Sequence, residues 1–317
     1  MSDVALLPLE RVERERRPAI GYAMALAAGT LFAINGTVSK VILESGIPAL
    51  RLTEVRCVGG FLGLLAIVLA TRPETLRIDR YELLLVAGFG VFGVAFVQLF
   101  YFLAIHRLQI GVSLLIQYLG PLIVAVTAHF VFKEHVRRRL WVAIALALVG
   151  LTLVVNLWSG VSLDGLGVLF SLLSAFTFAG YMLFAEKALR RRDPISLLCF
   201  GFLFASIFWS LAQPWWTFPF DVPGRSVSLL GHLSDKHLPV WALLAWMIVL
   251  GTIVPFMLIV GSMRHISATR AGIVAMVEPV VASVVAYAWL NETLGTAQLI
   301  GGTIVLLAII LAQTARD

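Results

Sequence analysis

The residues best suited to chemistry in this chain lie in one apolar stretch, residues 273–292. Glu278 and Pro279 interrupt the apolar run, and Glu292 closes it. A charged carboxylate inside an apolar helix costs about 2.5 to 3.5 kcal/mol on insertion scales, so an acid there is a functional hypothesis by default. The chemistry that Glu278 offers is reversible protonation or binding of a substrate amine.

The same pattern occurs once before in the chain, without the inner acid. Pro121 and Glu134 lie 158 residues before Pro279 and Glu292. Where the second copy has its intramembrane acid, the first copy has Gly120. The chain therefore contains an internal repeat whose symmetry that acid breaks.

The composition places these residues in a membrane protein. The chain is 60% hydrophobic and 13% charged, whereas soluble proteins carry about 25% charged residues. Its net charge of +6 does not indicate nucleic-acid binding, because the basic residues form short clusters between apolar runs, as membrane orientation produces. The expected partner is therefore the lipid bilayer and not a nucleic acid. Both cysteines lie in apolar runs, where they behave as small hydrophobes.

Ten apolar runs are candidates for helices that cross the roughly 30 Å of hydrocarbon in a bilayer. They cover residues 20–41, 49–71, 83–105, 110–132, 140–157, 166–188, 195–215, 240–263, 268–290 and 297–312. Most connections are short and polar, with one long exception at residues 216–238. We therefore predict an all-α integral membrane protein with ten transmembrane helices.

The distribution of Lys and Arg predicts the orientation. With the N-terminus in the cytoplasm, 18 of the 24 Lys and Arg residues fall on the cytoplasmic side, so both termini are expected there. Five helices per repeat is an odd number, so the second repeat enters the membrane inverted. The predicted organisation is a cytoplasmic segment 1–18, a first five-helix repeat 19–158, and a second, inverted repeat 159–317 with 216–238 as an outer loop.

Inverted repeats of this kind enclose a site near the bilayer midplane that opens to either side by rocking of the two halves. Enzyme signatures are absent from the sequence, with no phosphate loop, zinc-protease helix or serine nucleophile turn. We expect a transporter that is not an enzyme, with no cofactor and no metal site. Without a nucleotide site, transport is expected to be downhill or coupled to an ion gradient.

The motifs that carry a family resemblance are strongest in the second half. They are Gly251-Thr252, residues 263–268, Glu278-Pro279-Val280 and Leu290-Asn291-Glu292, with Phe32, Asn35, Gly36, Lys40, Arg56, Pro121 and Glu134 in the first half. In these residues the chain resembles the EamA branch of the drug/metabolite transporter superfamily, over about residues 20–311. The resemblance implies ten helices, inverted repeats, a central cavity and export of small metabolites such as amino acids. The family usually has Gly before each closing Glu, where this chain has Lys133 and Asn291.

Glu278 lies about ten residues into its predicted span, hence roughly 15 Å deep and near the midplane. The functional interpretation is proton coupling or binding of a substrate amine. The alternative is a structural hydrogen bond to a neighbouring helix. Five further side chains within spans are candidates to line the cavity with Glu278, or else to bond between helices: Asn35, Gln98, Tyr101, Gln117 and Tyr181.

The prolines are predicted to bend their helices. Pro121 and Pro279 lack an N–H and so free the carbonyls of Gln117 and Ala275, four residues earlier. The bends serve either packing alone or contact of the freed carbonyls with substrate.

Three further charged residues have two interpretations each. Glu134 and Glu292 are expected to cap the helix that follows each of them, with gating as the alternative. Arg56 is a buried basic residue that either pairs with an anion, such as a substrate carboxylate, or snorkels to the interface.

We therefore predict an exporter of small polar metabolites, with amino acids as the substrate class, working by alternating access in the bacterial inner (plasma) membrane. Proton coupling through Glu278 is a hypothesis within this prediction. The alternatives are a multidrug or cationic-toxin exporter and, from another class, an ion channel or membrane scaffold. A sugar-phosphate exchanger fits less well, because Arg56 is the only basic residue expected to be buried deep within a span, and a dianionic phosphate requires several. The sequence carries no prediction of oligomeric state.

Overall fold

A computed structural model of the chain describes residues 17–131, 133, 138–155, 164–189, 191–262, 264–266, 271, 274–275 and 277–314. The described part is predominantly helical. In chain order the helices are α1 Pro18–Glu44, α2 Ala49–Thr71, α3 Arg80–Gly88, α4 Val97–Ile105, α5 Ile110–Gln117, α6 Gly120–Phe130, α7 Arg138–Val155, α8 Gly165–Leu189, α9 Pro194–Ala212, α10 Val240–Ile248, α11 Val254–Ser262, α12 Val277–Leu290 and α13 Thr296–Thr314.

Two long helices contain a π-helical segment in mid-span. Phe89–Phe96 joins α3 to α4, and Val249–Ile253 joins α10 to α11. Short 3-10 turns occur at Pro73–Leu76, Trp215–Thr217 and Gly231–Leu233. The strands described are β1 Ser226–Ser228 and β2 His237–Pro239, which pair antiparallel with Val227 opposite Leu238.

The length and composition of the helices confirm the prediction of an α-helical membrane protein. Six helices of the described chain are long and apolar enough to cross a membrane: Pro18–Glu44, Ala49–Thr71, Glu82–Ile105, Gly165–Leu189, Pro194–Ala212 and Val240–Ser262. Four shorter apolar helices lie where the other spans are predicted: Ile110–Val124, Trp141–Val154, Val277–Leu290 and Thr296–Leu311. The count of ten spans, their inverted arrangement and the cytoplasmic termini remain predictions.

The helix pairings follow a pattern that repeats along the chain. Helix α1 packs against α11 and α12, and α8 packs in the same way against α4, α5 and α6. Helix α2 pairs with α9, and α7 pairs with α13. The two π segments occupy corresponding places, each in the third long helix of its half. The two halves therefore interleave, and most of the core lies between them.

Helices α7 and α13 cross at a pair of glycines. A Cβ added to Gly150 would lie 2.8 Å from the carbonyl oxygen of Gly301, and one added to Gly301 would lie 2.6 Å from that of Gly150. Both distances are shorter than carbon–oxygen contact allows, so the close backbone approach requires small residues on both helices.

Charged side chains join the turns at one end of the bundle. Arg192 donates to Glu82 at 2.8 Å and to the backbone carbonyls of Thr75 and Arg77, while Arg72 pairs with Asp193 at 2.8 Å. We call this end, formed by residues 72–79 and 191–193, the basic end. The orientation predicted from sequence would place it in the cytoplasm.

Two aspartates begin helices at opposite ends of the bundle. The Asp193 carboxylate accepts the N–H groups of Ile195 and Ser196 at the start of α9. The Asp164 carboxylate accepts the N–H of Gly167 at the start of α8, and this bond together with Arg107 holds the pKa of Asp164 below its usual range. These bonds satisfy amides that have no partner within the helix.

The long loop 216–238 packs against the end of α12. The indole of Trp289 donates to the Leu229 carbonyl at 2.7 Å, and the His232 ring lies 3.1 Å from the Ala288 carbonyl. The guanidinium of Arg51 donates to the Gln213 carbonyl at 3.0 Å, just before the loop. The loop thus joins the ends of α2, α9 and α12.

The turns before the two closing glutamates adopt the left-handed backbone region without glycine. Lys133 has φ of 54° and Asn291 has φ of 62°. A non-glycine residue in this region costs about 1–2 kcal/mol, and Asn tolerates it better than Lys. The turn that the family builds with Gly therefore forms here under local backbone strain.

We expect Lys133→Gly to raise the free energy of unfolding by about 1 kcal/mol relative to Lys133→Ala, because glycine alone removes the left-handed strain. Asn291→Gly should give a smaller gain. Thermal unfolding in detergent measures both, with Lys133→Ala as the matched control. Equal stability of the Gly and Ala variants at position 133 would contradict the strain argument.

A candidate substrate cavity between the two halves

A cavity of about 540 Å³ lies between the two halves of the chain, a volume within the range of small-molecule binding sites. Helices α1, α2, α4, α5, α8, α9, α11 and α12 and the first π segment contribute to its walls. All six candidates from the sequence line it: Asn35, Gln98, Tyr101, Gln117, Tyr181 and Glu278. The fold thus brings together residues that are up to 243 positions apart in the chain.

Three amide side chains line the cavity. Asn35 is 2% exposed and Gln98 is 8% exposed, while Gln117 is half-buried. The side-chain carbonyl oxygens of all three have no hydrogen-bond partner among the described residues. Buried polar atoms normally have a partner, so these three oxygens are unsatisfied within the described structure, and a ligand or water would reach them only after a side-chain rearrangement.

Arg56 is held inside the bundle and lines the cavity. Its Nε donates to the Thr252 hydroxyl at 2.9 Å, and a terminal nitrogen donates to the Gly251 carbonyl at 3.1 Å. Thr252 donates in turn to the Met247 carbonyl at 2.9 Å. Gly251 and Thr252 lie in the second π segment, where the regular helical bonding pattern is interrupted. Arg56 therefore binds backbone in the interior and does not extend to an interface.

Glu54, two residues before Arg56, has a different partner. Its carboxylate pairs with Arg51 at 2.6 Å, and both side chains are almost fully buried. Glu54 therefore pairs with Arg51 and not with Arg56.

Glu278 lies in the first turn of α12 and is half-buried in the cavity wall. Its Oε2 accepts a hydrogen bond from the Tyr118 hydroxyl at 2.8 Å. The same hydroxyl lies 3.2 Å from the carbonyl oxygen of Ala275. Tyr118 joins the last turn of α5 to the helix that carries the acid.

Sequence reasoning missed Tyr118. The available signal was its place beside Gln117 and three residues before Pro121 in one predicted span. A tyrosine there carries its hydroxyl away from its own helix, so its partner depends on which helix packs opposite.

The two prolines lie at different places in their spans. Pro121 is in the first turn of α6, and the span is divided into α5 and α6 at Tyr118 and Leu119. Pro279 is in the first turn of α12 and is buried. The N–H that Pro121 lacks would have no helical partner in a first turn, whereas Pro279 follows helical residues 274 and 275, so its missing N–H leaves the Ala275 carbonyl without its usual partner.

Glu292 caps a helix, but a different one from the helix that follows it. Its Oε2 accepts the backbone N–H of Ile110 at 3.0 Å, at the first residue of α5 in the other half. Its Oε1 pairs with Lys40 at 2.6 Å, and Lys40 also donates to the Leu108 carbonyl at 3.1 Å. Glu134, its predicted counterpart, lies outside the described residues.

The cavity extends towards the basic end. Its lining includes Glu186, Leu189 and Pro194, which flank the turn between α8 and α9. At the other end of α1, the ion pair between Lys40 and Glu292 joins the two halves. Within the described chain, no group of three His, Cys, Asp or Glu side chains is arranged to hold a metal ion.

Comparison with known proteins gives two matches to one family along the chain. Residues 19–156 and 165–314 each match the EamA-like transporter family. The chain is 28% identical over 282 residues to an uncharacterized transporter of Archaeoglobus fulgidus, covering 88% of this chain and 92% of the relative. It is 25% identical over 296 residues to the uncharacterized transporter YwfM of Bacillus subtilis, covering 92% of each.

Two further similarities are more limited. A stretch of 64 residues, 20% of this chain, is 33% identical to a probable 4-amino-4-deoxy-L-arabinose-phosphoundecaprenol flippase subunit ArnE of Pseudomonas fluorescens and covers 56% of it. A solved crystal structure matches with a TM-score of 0.59 at 18% identity, covering 93% of this chain and 98% of the other. This last likeness shows a shared fold.

The two contacts of Glu292 predict an order of stability among its variants. Glu292→Gln keeps an oxygen for the Ile110 N–H but loses the ion pair, whereas Glu292→Ala loses both. We expect the Ala variant to be less stable than the Gln variant by roughly 1 kcal/mol, the usual value of a helix cap. Denaturant or thermal unfolding in detergent measures the difference. Equal destabilisation would show that the cap at Ile110 contributes nothing.

Proposed function

Because the chain belongs to the EamA-like transporter family, we propose that it exports small zwitterionic metabolites, with amino acids as the substrate class, by alternating access through the cavity described above. Family membership makes the protein a multi-pass membrane transporter, and its bacterial relatives favour the inner membrane. The observation that carries the substrate class is the presence of one buried cation, Arg56, and one acid, Glu278, in the same cavity wall.

An amino acid has a carboxylate and an ammonium group, and the cavity offers a partner for each. Arg56 uses Nε and one terminal nitrogen for Thr252 and Gly251, which leaves further guanidinium N–H groups for a substrate carboxylate. Glu278 can accept an ammonium group. The described residues contain no ion pair between Arg56 and Glu278, so neither neutralises the other by direct contact.

The charge of the cavity also disfavours phosphorylated substrates. Among the lining residues that the structure describes, Arg56 is the only basic side chain. A dianionic phosphate is normally bound by several cationic or N–H donors. The single guanidinium fits one carboxylate better.

Transport requires that the cavity open to each side in turn. Its lining reaches the basic end, which the sequence predicts to be cytoplasmic, while at the other end the halves are joined by the ion pair between Lys40 and Glu292, and neither of these residues lines the cavity. We infer that the structure represents a state facing the cytoplasm. Rocking of two inverted five-helix halves would open the other end, with proton exchange at Glu278 as the coupling step.

A cation exporter is the second candidate, because the cavity is also aromatic. Its walls include three tyrosines and four phenylalanines, with a second acid near the basic end. Aromatic faces beside a carboxylate bind organic cations. The lining residues concerned are Tyr101, Tyr118, Tyr181, Phe32, Phe89, Phe178, Phe256 and Glu186. Family membership favours both exporters over a channel or a scaffold.

We expect liposomes containing the protein to take up labelled amino acids in preference to the corresponding decarboxylated amines. Arg56→Gln should lower amino-acid uptake roughly 10- to 100-fold by removing a charge-assisted hydrogen bond, and should change amine uptake much less. Gel filtration controls for folding, since Arg56 also binds Thr252 and Gly251. Uptake of amines with no flux of any amino acid would overturn the substrate class and support the cation exporter.

Proton coupling predicts a specific effect of neutralising Glu278. Uptake by the unmodified protein should respond to an imposed pH gradient, and Glu278→Gln should abolish that response while the protein stays folded. Glu186→Gln is the matched control, because it makes the same change on the same cavity away from Tyr118, and its pH response should persist. Flux indifferent to pH in the unmodified protein would contradict coupling, and a misfolded Glu278→Gln variant would indicate a structural role.

A further inference from the structure

The hydroxyl of Tyr118 lies between two acceptors. It is 2.8 Å from Glu278 Oε2 and 3.2 Å from the carbonyl oxygen of Ala275. A phenol has one proton to donate, so it can serve only one of these acceptors at a time. Both acceptors belong to the second half of the chain, and Tyr118 belongs to the first.

The Ala275 carbonyl needs this donor because of Pro279. In a helix the carbonyl of residue 275 accepts the N–H of residue 279, and proline has none. A carbonyl without a partner inside a membrane is unfavourable by several kcal/mol. The side chain of Tyr118, which is 8% exposed, is the donor the structure places there. The carboxylate and the freed carbonyl therefore compete for one proton donor.

We propose that Tyr118 is a positioning residue that links the protonation of Glu278 to the hydrogen bonding of the Ala275 carbonyl, and this rests on the proposed transport function. With Glu278 protonated, its O–H donates to Tyr118 Oη, and Tyr118 donates to Ala275. When the proton leaves Glu278 for water in the cavity, the carboxylate accepts from Tyr118, and the carbonyl is released. Tyr118 keeps its own proton throughout.

The other charged groups near Glu278 do not make both contacts. Arg56 on α2 and Tyr101 on α4 also line the cavity, but among the described residues neither makes a direct hydrogen bond to Glu278. Helix α1 also packs against α12, but its Lys40 is bound to Glu292. In the part of the chain described, Tyr118 is thus the side chain that joins the acid to the proline-freed carbonyl. Gain or loss of a proton by Glu278 would change the bonding of the backbone at the point where α12 begins.

The test is a double-mutant cycle read by infrared spectroscopy of the full-length protein in lipid, which needs no transported substrate. The band of the protonated Glu278 carboxyl is identified by its absence in Glu278→Gln, and its intensity is followed against pH. Pro279→Ala supplies an N–H to the Ala275 carbonyl and so frees Tyr118 for the carboxylate. The pH at which half the band is lost should fall by roughly half to one unit, the equivalent of one neutral hydrogen bond.

The link predicts that this shift depends on Tyr118. In the Tyr118→Phe background, Pro279→Ala should no longer move the midpoint, because the competition is gone. Tyr181→Phe is the matched control: it removes a hydroxyl from the same cavity, one with no hydrogen bond to Glu278, and the full shift should remain. Pro279→Gly supplies the same N–H and replaces Pro279→Ala if that variant does not fold.

Several results would overturn the proposal. One is a shift of the midpoint that is equal with Tyr118 and with Tyr118→Phe, or absent in both. Another is loss of the midpoint shift in Tyr181→Phe. A third is a carboxyl band whose intensity does not change with pH. Failure of this link and failure of transport are distinguishable. If Pro279→Ala shifts the midpoint only when Tyr118 is present, but the protein moves no amino acid, only the proposed function is contradicted. If uptake is proton-driven but Pro279→Ala leaves the midpoint unchanged, only the proposed role of Tyr118 is contradicted.

Discussion

The structure depends on one constraint of the bilayer, that every backbone polar group within it must find a partner inside the protein. The described helices are irregular at the second π segment and before Pro279, and each irregularity releases a carbonyl from its normal bond. Arg56 donates to the carbonyl of Gly251 in the first case, and Tyr118 to that of Ala275 in the second. The groups that satisfy the backbone are the groups that line the cavity.

Both of these bonds run in the same direction across the repeat, from a side chain of the first half to a main-chain atom of the second. The scaffold is repeated in its helix pairings and in the places of its π segments. Its polar contacts are not repeated, since Gly120 stands where the second half has Glu278. In these two cavity contacts the first half supplies the donor and the second half supplies the acceptor, so the two halves differ in chemistry although their helices pair alike.

The sequence predicted the membrane class, and the six polar side chains it proposed all line the described cavity, because an amide or acid inside an apolar span is unfavourable against lipid and so faces the protein interior. It did not predict partners across the bundle. Tyr118 was missed and Glu292 was assigned to the wrong helix, since both contacts depend on how helices distant in sequence pack. The sequence could not decide whether Arg56 pairs with an anion or snorkels to the interface. Its observed partners lie in a π segment, which has no distinctive spacing of apolar residues. The strained turns at Lys133 and Asn291 were noted as departures from the family, but their backbone angles could not be read from residue type.

The contact at Glu292 has a consequence for the timing of movement. One carboxylate holds Lys40 of α1 and the first amide of α5, and it sits in the turn between α12 and α13. The two contacts use different oxygens of the carboxylate, and both must break before the three segments can separate. In the proposed transport cycle, opening of this end would have to break both contacts, so variants at Glu292 are expected to alter the lifetime of the closed state more than the affinity of the cavity for its ligand.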